Sequence, residues 1–198
     1  MANYRSNANI DNEDMADITD WTDGDFGGES TQVTFDSKSC MRLYATGIVA
    51  SAKRTQDIGT FGDRTVFSMN MYFDTIAALA ITNFEAYNGS YKLGIQFTSA
   101  GISVYNGTNW IEVGTNLVVA DTWQEWTFDV DWTTQTVDVY LDQELVGSDV
   151  SCADADTIAN GTVNFGATIV FSTVITYIDW FKAGDDFITS GQVIMIGE

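Results

Sequence analysis

Between Gln124 and Trp132 the side chains alternate with a period of two. Gln124, Trp126, Phe128, Val130 and Trp132 fall on one face, and Trp123, Glu125, Thr127, Asp129 and Asp131 on the other. After a polar turn at Thr133 to Gln135 the pattern resumes, with Val137, Val139 and Leu141 set against Thr136, Asp138, Tyr140 and Asp142. A chain that alternates in this way on both sides of a short turn forms a hairpin with one wet and one dry face. Its dry face must be covered by a second layer.

The same pattern extends along most of the chain. Short strands are expected at Gln32 to Phe35, Cys40 to Tyr44 and Val49 to Ile58. From Arg64 to Phe73 the residues Phe67, Met69, Met71 and Phe73 form an apolar stripe that reads as core. Ala77 to Tyr87 follows in the register Ala80, Thr82, Phe84, Ala86. A meander then runs through Tyr91 to Thr98, Ile102 to Tyr105 and Trp110 to Val113. Asn106-Gly107 is a strong hairpin signal, because both central residues of a type I′ turn need positive φ. Gly147 to Asn160 reads as loop, and further strands are expected at Thr162 to Phe165, Ala167 to Phe171 and Tyr177 to Lys182. No helical periodicity of three turns occurs, and 198 residues suit one all-β domain. The expected fold is an antiparallel β-sandwich of two sheets, covering residues 17–183. A polar arm (1–16) precedes it, and an apolar tail or extra edge strand (184–198) follows.

Charge narrows the range of partners. Eight basic against 28 acidic residues give a net charge of −20, which repels phosphate backbones and anionic lipid, so neither nucleic acid nor a membrane is expected. The start lacks the pattern of a secretory signal, and no stretch is long and apolar enough to span a bilayer. Synthesis in a cytoplasm is expected, with any exterior location reached by another route. Cys40 and Cys152 read as small core residues, with a single bridge as the alternative. Asn88, Asn106 and Asn160 each begin a glycosylation tripeptide and are read as turns.

With no histidine, imidazole-based triads and imidazole-ligated zinc are excluded. Carboxylates remain, and a glycosidase needs a facing pair of them. The face bearing Glu125, Asp129 and Asp131 approaches this most nearly, but Thr127 interrupts it. Sugar binding needs exposed rings beside polar groups, and Trp21, Tyr105 and Trp110 lie next to Gly or Asn turns. The loop around Trp21 carries Asp20, Asp23 and Asp25. It reads either as a rim loop for calcium or sugar, or as an Asx-turn loop whose Trp plugs the sandwich; the spacing of an EF-hand loop is not met.

Gly101 to Thr108 (GISVYNGT), Asp121 to Asp131 (DTWQEWTFDVD), Val137 to Asp142 (VDVYLD) and Tyr177 to Trp180 (YIDW) together resemble the concanavalin A-like lectin/glucanase jelly rolls, above all the laminin-G-like members. The resemblance implies two face-to-face antiparallel sheets. It also implies a family that includes glycan-binding modules, adhesion domains, glycosidases and parts of bacteriophage virions. Calcium binding in such domains lies between an N-terminal loop and the last strand, where Asp23, Asp25 and Asp179 would correspond. The glucanase motif Glu-x-Asp-x-x-Glu is absent. The expectation is a non-enzymatic structural or interaction protein of a bacteriophage virion, a capsid decoration or tail-associated domain that touches host glycans. Its partners would be other virion subunits or further copies of itself, and its location the virion. An exported, extracellular carbohydrate-binding module is the alternative, and a glycoside hydrolase a third reading. No cofactor is required, and calcium is left open.

Overall fold

The computed structural model describes residues 10–12, 15, 17–59, 63–77, 80–87, 91–152 and 161–184. Among them are thirteen strands and no helix. In chain order these are β1 (Ile10–Asn12), β2 (Thr22–Asp23), β3 (Gly28–Phe35), β4 (Lys38–Gly59), β5 (Arg64–Ile76), β6 (Ala80–Tyr87) and β7 (Tyr91–Thr98). They are followed by β8 (Gly101–Tyr105), β9 (Trp110–Thr115), β10 (Trp123–Asp131), β11 (Thr136–Leu141), β12 (Glu144–Ser151) and β13 (Gly161–Gly184). All the strand pairings are antiparallel.

Two strands are far longer than the sequence pattern suggests: β4 has 22 residues and β13 has 24. They pair with each other from Gly59↔Gly161 to Met41↔Ile178 and belong to both layers. The later half of β13 lies beside β5, and on from β5 follow β10, β11 and β12, which together make the first layer. Its earlier half lies beside β6, followed by β7, β8 and β9, which make the second. The expected strands at 40–44 and 49–58 are therefore one strand, as are those at 162–165, 167–171 and 177–182. Gly47 and Gly166 look like breaks in the sequence, but the long-range ladder runs through both. Gly47 has φ 117°, and a Cβ placed there would meet nothing within 4 Å, so the chain can bend without leaving the ladder.

The central hairpin forms in the expected register, with Phe128 opposite Val139 on one side and Phe67 on the other. Gln124, Trp126, Phe128, Val130, Trp132, Val137 and Val139 are buried, and Leu141 packs at the margin of the core. The stripe Phe67, Met69, Met71, Phe73 is fully buried, as is the register Ala80, Thr82, Phe84, Ala86. Phe84 lies at the centre, with ring centroids 5.2 Å from Phe67, 6.0 Å from Phe128, 5.3 Å from Phe165 and 5.8 Å from Phe181. It joins rings of both layers, and aromatic pairs at these separations add about 0.5–1.5 kcal/mol each beyond their buried area.

Several local expectations are corrected. Glu144 to Ser151 is a strand and not loop, because Val137 and Val139 offer it a ladder to Val150 and Gly147; Asn160 lies outside the described residues. The strict alternation of Tyr177 to Lys182 is broken by a bulge at Asp179, so that Ile178 and Phe181 are both core residues. The turn at Asn106 is a four-residue loop, since the Asn106 side-chain oxygen accepts from the Thr108 and Asn109 amides at 3.0 and 2.7 Å. Positive φ at both turn residues occurs instead at Asp36-Ser37 and Asp142-Gln143. From the N-terminal arm, β1 pairs with Phe181 to Ala183 and Met15 is buried in the core. Residues 185–198 and Asn88 lie outside the described residues. Cys40 and Cys152 are buried free thiols, raised by burial to about 11 and about 12 respectively.

Candidate functional site

The outer side of the second layer carries a row of residues contributed by adjacent strands. Tyr105 on β8 is opposite Trp110 on β9, Gly94 on β7 is opposite Glu85 on β6, and Glu85 is opposite Asn164 on β13. The Asn106 loop fixes the start of β9 and so the position of Trp110. The Tyr105 hydroxyl donates to the Gly107 carbonyl at 2.9 Å, which ties its ring to the same loop. The two rings lie 5.2 Å apart at 48°. Both rest against Gly94: a Cβ there would come within 3.2 Å of Tyr105 Cβ and 3.4 Å of the six-membered ring of Trp110. The missing side chain lets the indole extend inward across the sheet, while the residue stays 42% exposed.

Further along the row the surface sinks into a groove of about 280 Å³ lined by Lys53, Asn83, Glu85, Asn164, Gly166 and Thr168, among others. Asn164 donates to Glu85 Oε2 at 3.3 Å and accepts from the Thr55 hydroxyl at 2.6 Å, so its amide is held in one orientation. Asn83 Oδ1 is buried and has no donor. Such a surface, one open indole beside a groove lined by polar residues, suits a ligand with both C–H faces and hydroxyls.

Of the residues singled out for sugar contact, Tyr105 and Trp110 are thus brought together. Trp21 is not with them: it is 2% exposed and packs on Phe165 and Phe181 at 5.5 and 6.0 Å, plugging the sandwich. Asn83, Asn164 and Gly166 were not singled out. The available signal was a Gly or Asn at an outward position inside an otherwise apolar strand.

The carboxylates assigned to calcium are engaged within the chain. Asp25 accepts from the Ser30 amide and hydroxyl at 2.7 and 2.8 Å and from the Lys53 amide at 2.7 Å. Asp23 accepts from the Asp25 amide at 2.9 Å and lies 3.8 Å from Arg54. Asp179 sits in the β13 bulge, paired with Lys38 and accepting from Asn70 at 3.1 Å. Among the described residues no group of three or more metal-ligating side chains is assembled. The face of Glu125, Asp129 and Asp131 lies on the other layer, where Asp129 is buried in a two-pronged pair with Arg64.

A second aromatic group, Phe35, Tyr72, Trp123 and Tyr177, lies on the outer side of the first layer. Its faces are occupied from within: Phe35 stacks on Tyr177 at 3.9 Å, Lys38 Nζ lies 4.7 Å over Trp123, and the Trp123 indole donates to Asp36 at 3.0 Å. It clamps the β3–β4 turn to the sheet. The Trp110 face is the open one.

The fold is that of the concanavalin A-like lectins and glucanases. No protein-family model matches the chain, and no curated protein matches its sequence. Similar solved structures include a sialidase, at TM-score 0.70 and 12% identity over 90% of this chain and 19% of the sialidase. This chain spans about a fifth of that protein's length. The potassium-bound Emp46p carbohydrate recognition domain is similar at TM-score 0.61 and 12% identity, covering 91% of this chain and 98% of that one. A Bacillus licheniformis β-glucanase is similar at TM-score 0.59 and 13% identity, covering 89% and 98%.

Proposed function

We propose that this chain is a non-catalytic glycan-binding domain whose ligand stacks on Trp110 along the outer side of the second layer. The observation that carries the reading is the exposed indole held over Gly94 beside a groove of fixed polar groups. A sugar presents an apolar C–H face to such a ring and hydroxyls to a polar groove. Similarity to a carbohydrate recognition domain supports the reading. Glu85 is the single carboxylate that lines the groove among the described residues, whereas glycoside hydrolysis uses a pair, which favours binding over cleavage. The same surface would serve a virion domain touching host glycans, the setting expected from the sequence, or an exported lectin-like module. Gene neighbourhood separates these two settings. The experiment for the binding reading is a glycan array probed with the wild-type chain and with Trp110→Ala. Signal for wild type that is lost in the variant is expected, and an array with no wild-type signal counts against it.

A further inference from the structure

We propose that two copies of this chain associate through the tip at which β4 and β13 cross between the layers, with Thr46 to Ala50 of each copy side by side about a two-fold axis and Phe26, Ile48 and Val49 buried between them. This goes beyond the glycan reading and does not depend on it.

The tip follows from how the N-terminal loop meets β4. Gly28 pairs with Ala45, yet a Cβ on Gly28 would also come within 2.6 Å of the Ser51 carbonyl. Positions 45 and 51 of one strand therefore lie against the same residue, and the chain between them loops outward. β13 accompanies it, with Thr173 opposite Thr46 and Val170 opposite Val49. On the other side the ladder has a gap. Pairing with β3 ends at Ala45, and the next partner is Phe26, which exchanges two 2.8 Å hydrogen bonds with Ser51. Among the described residues, Thr46 to Ala50 thus have a strand along one edge and none along the other. An open edge is a template for a further strand. Beside it Phe26, Ile48 and Val49 are 68%, 67% and 60% exposed, more than any other large apolar residue described.

Charge selects the occupant. The chain carries −20, yet residues 43–52, 75–83 and 167–178, which meet at this end of the sandwich, include no charged residue. Two copies repel wherever acidic surfaces face each other, so an uncharged apolar end is where they can touch. An antiparallel contact about a two-fold axis is self-complementary, each copy supplying the edge that the other lacks. The apolar run from Val193 starts nine residues after Gly184 and reaches about 32 Å at full extension, whereas about 36 Å of strand separates Gly184 from Thr173. It falls short of the tip. Trp110, on β9, is four strands away from β13 and stays clear of the contact, so a dimer presents two open indoles.

The test is sedimentation velocity over a range of concentrations in about 0.5 M NaCl, which screens the repulsion, with wild type, Ile48→Asp and Leu145→Asp, each checked by thermal melt. Leu145 is also an exposed apolar residue but lies on β12. Wild type and Leu145→Asp are expected to reach the mass of two chains. Ile48→Asp is expected to stay folded and associate about 100-fold more weakly, because the two-fold axis sets each new charge against its own copy. A milder variant checks the register. Pairing centred on Ile48 sets its two Cα atoms about 4.5–5.5 Å apart, within the span of a disulfide. Cys40 and Cys152 are buried, so Ile48→Cys is expected to oxidise to a covalent dimer and Leu145→Cys to remain largely uncoupled. A wild type that is monomeric at every concentration, a dimer that persists in Ile48→Asp, or equal cross-linking of Ile48→Cys and Leu145→Cys overturns the proposal.

Discussion

The rings of Phe165 and Phe181, 16 positions apart on the single strand β13, lie 5.3 Å apart at 87°. A straight strand would hold them roughly 50 Å apart. The strand turns over the end of the sandwich instead, giving Phe165 to the second layer and Phe181 to the first, with Phe84 touching both. The link between the layers is thus backbone as well as packing.

Truncation of either ring should show this. Phe165→Ala and Phe181→Ala are each expected to destabilise by about 3–5 kcal/mol, the range for a fully buried Phe. Because the rings touch, denaturant melts of the double variant should show a loss smaller than the sum of the two, by about 0.5–1.5 kcal/mol. Additive losses would mean that the contact contributes nothing of its own.

Asp25 fastens the N-terminal loop to β4 through the Ser30 and Lys53 amides. Asp25→Ala strands those donors and is expected to cost about 2–3 kcal/mol. Since its oxygens already serve the chain, added calcium and EDTA should leave the melting temperature of the wild type unchanged. A rise with calcium that disappears in Asp25→Ala would show that the loop takes the metal.

Glu125 is half-buried, and burial raises its carboxyl above the ordinary 4.5, with Asp142 adding to the shift and Lys182 opposing it. A carboxyl raised in the folded state contributes stability fully below the unfolded value, and that contribution is lost as pH rises through the folded one. At neutral pH the charged form is therefore a small burden on the fold. Glu125→Gln should melt slightly higher than wild type at pH 7, and the difference should close below about pH 4.5. A gap of the same size at both pH values would indicate a cause other than ionisation.

The hairpin of β10 and β11 was legible in the sequence because one of its faces carries polar side chains and the other apolar ones, which gives the alternation from Gln124 to Leu141. Continuity of β4 and β13 was not, since it depends on pairing between residues more than a hundred positions apart. The turn expected at Asp142 to Glu144 forms at Asp142-Gln143, but the positive φ taken there and at Asp36-Ser37 without glycine was not legible. In the candidate site, Tyr105 and Trp110 stood out because they flank a short Asn-rich loop. Asn83, Asn164 and Gly166 did not, because β6 and β13 meet only through the fold; Asn164 and Glu85 are 79 positions apart. For Trp21 the second of its two readings holds: the ring plugs the sandwich, and Arg54 ties the Trp21 carbonyl at 3.1 Å.

The central claim is that Trp110 is a binding surface and not a packing residue. The most direct measurement is isothermal titration of wild type and Trp110→Ala with the oligosaccharide giving the strongest array signal, accompanied by thermal melts of both. Loss of a stacking ring of this kind is expected to weaken affinity by about 10- to 100-fold, or about 1.4–2.8 kcal/mol, while the melting temperature stays within about 1–2 °C. Equal affinity in the two proteins, or a large fall in melting temperature on removing the indole, would contradict the account.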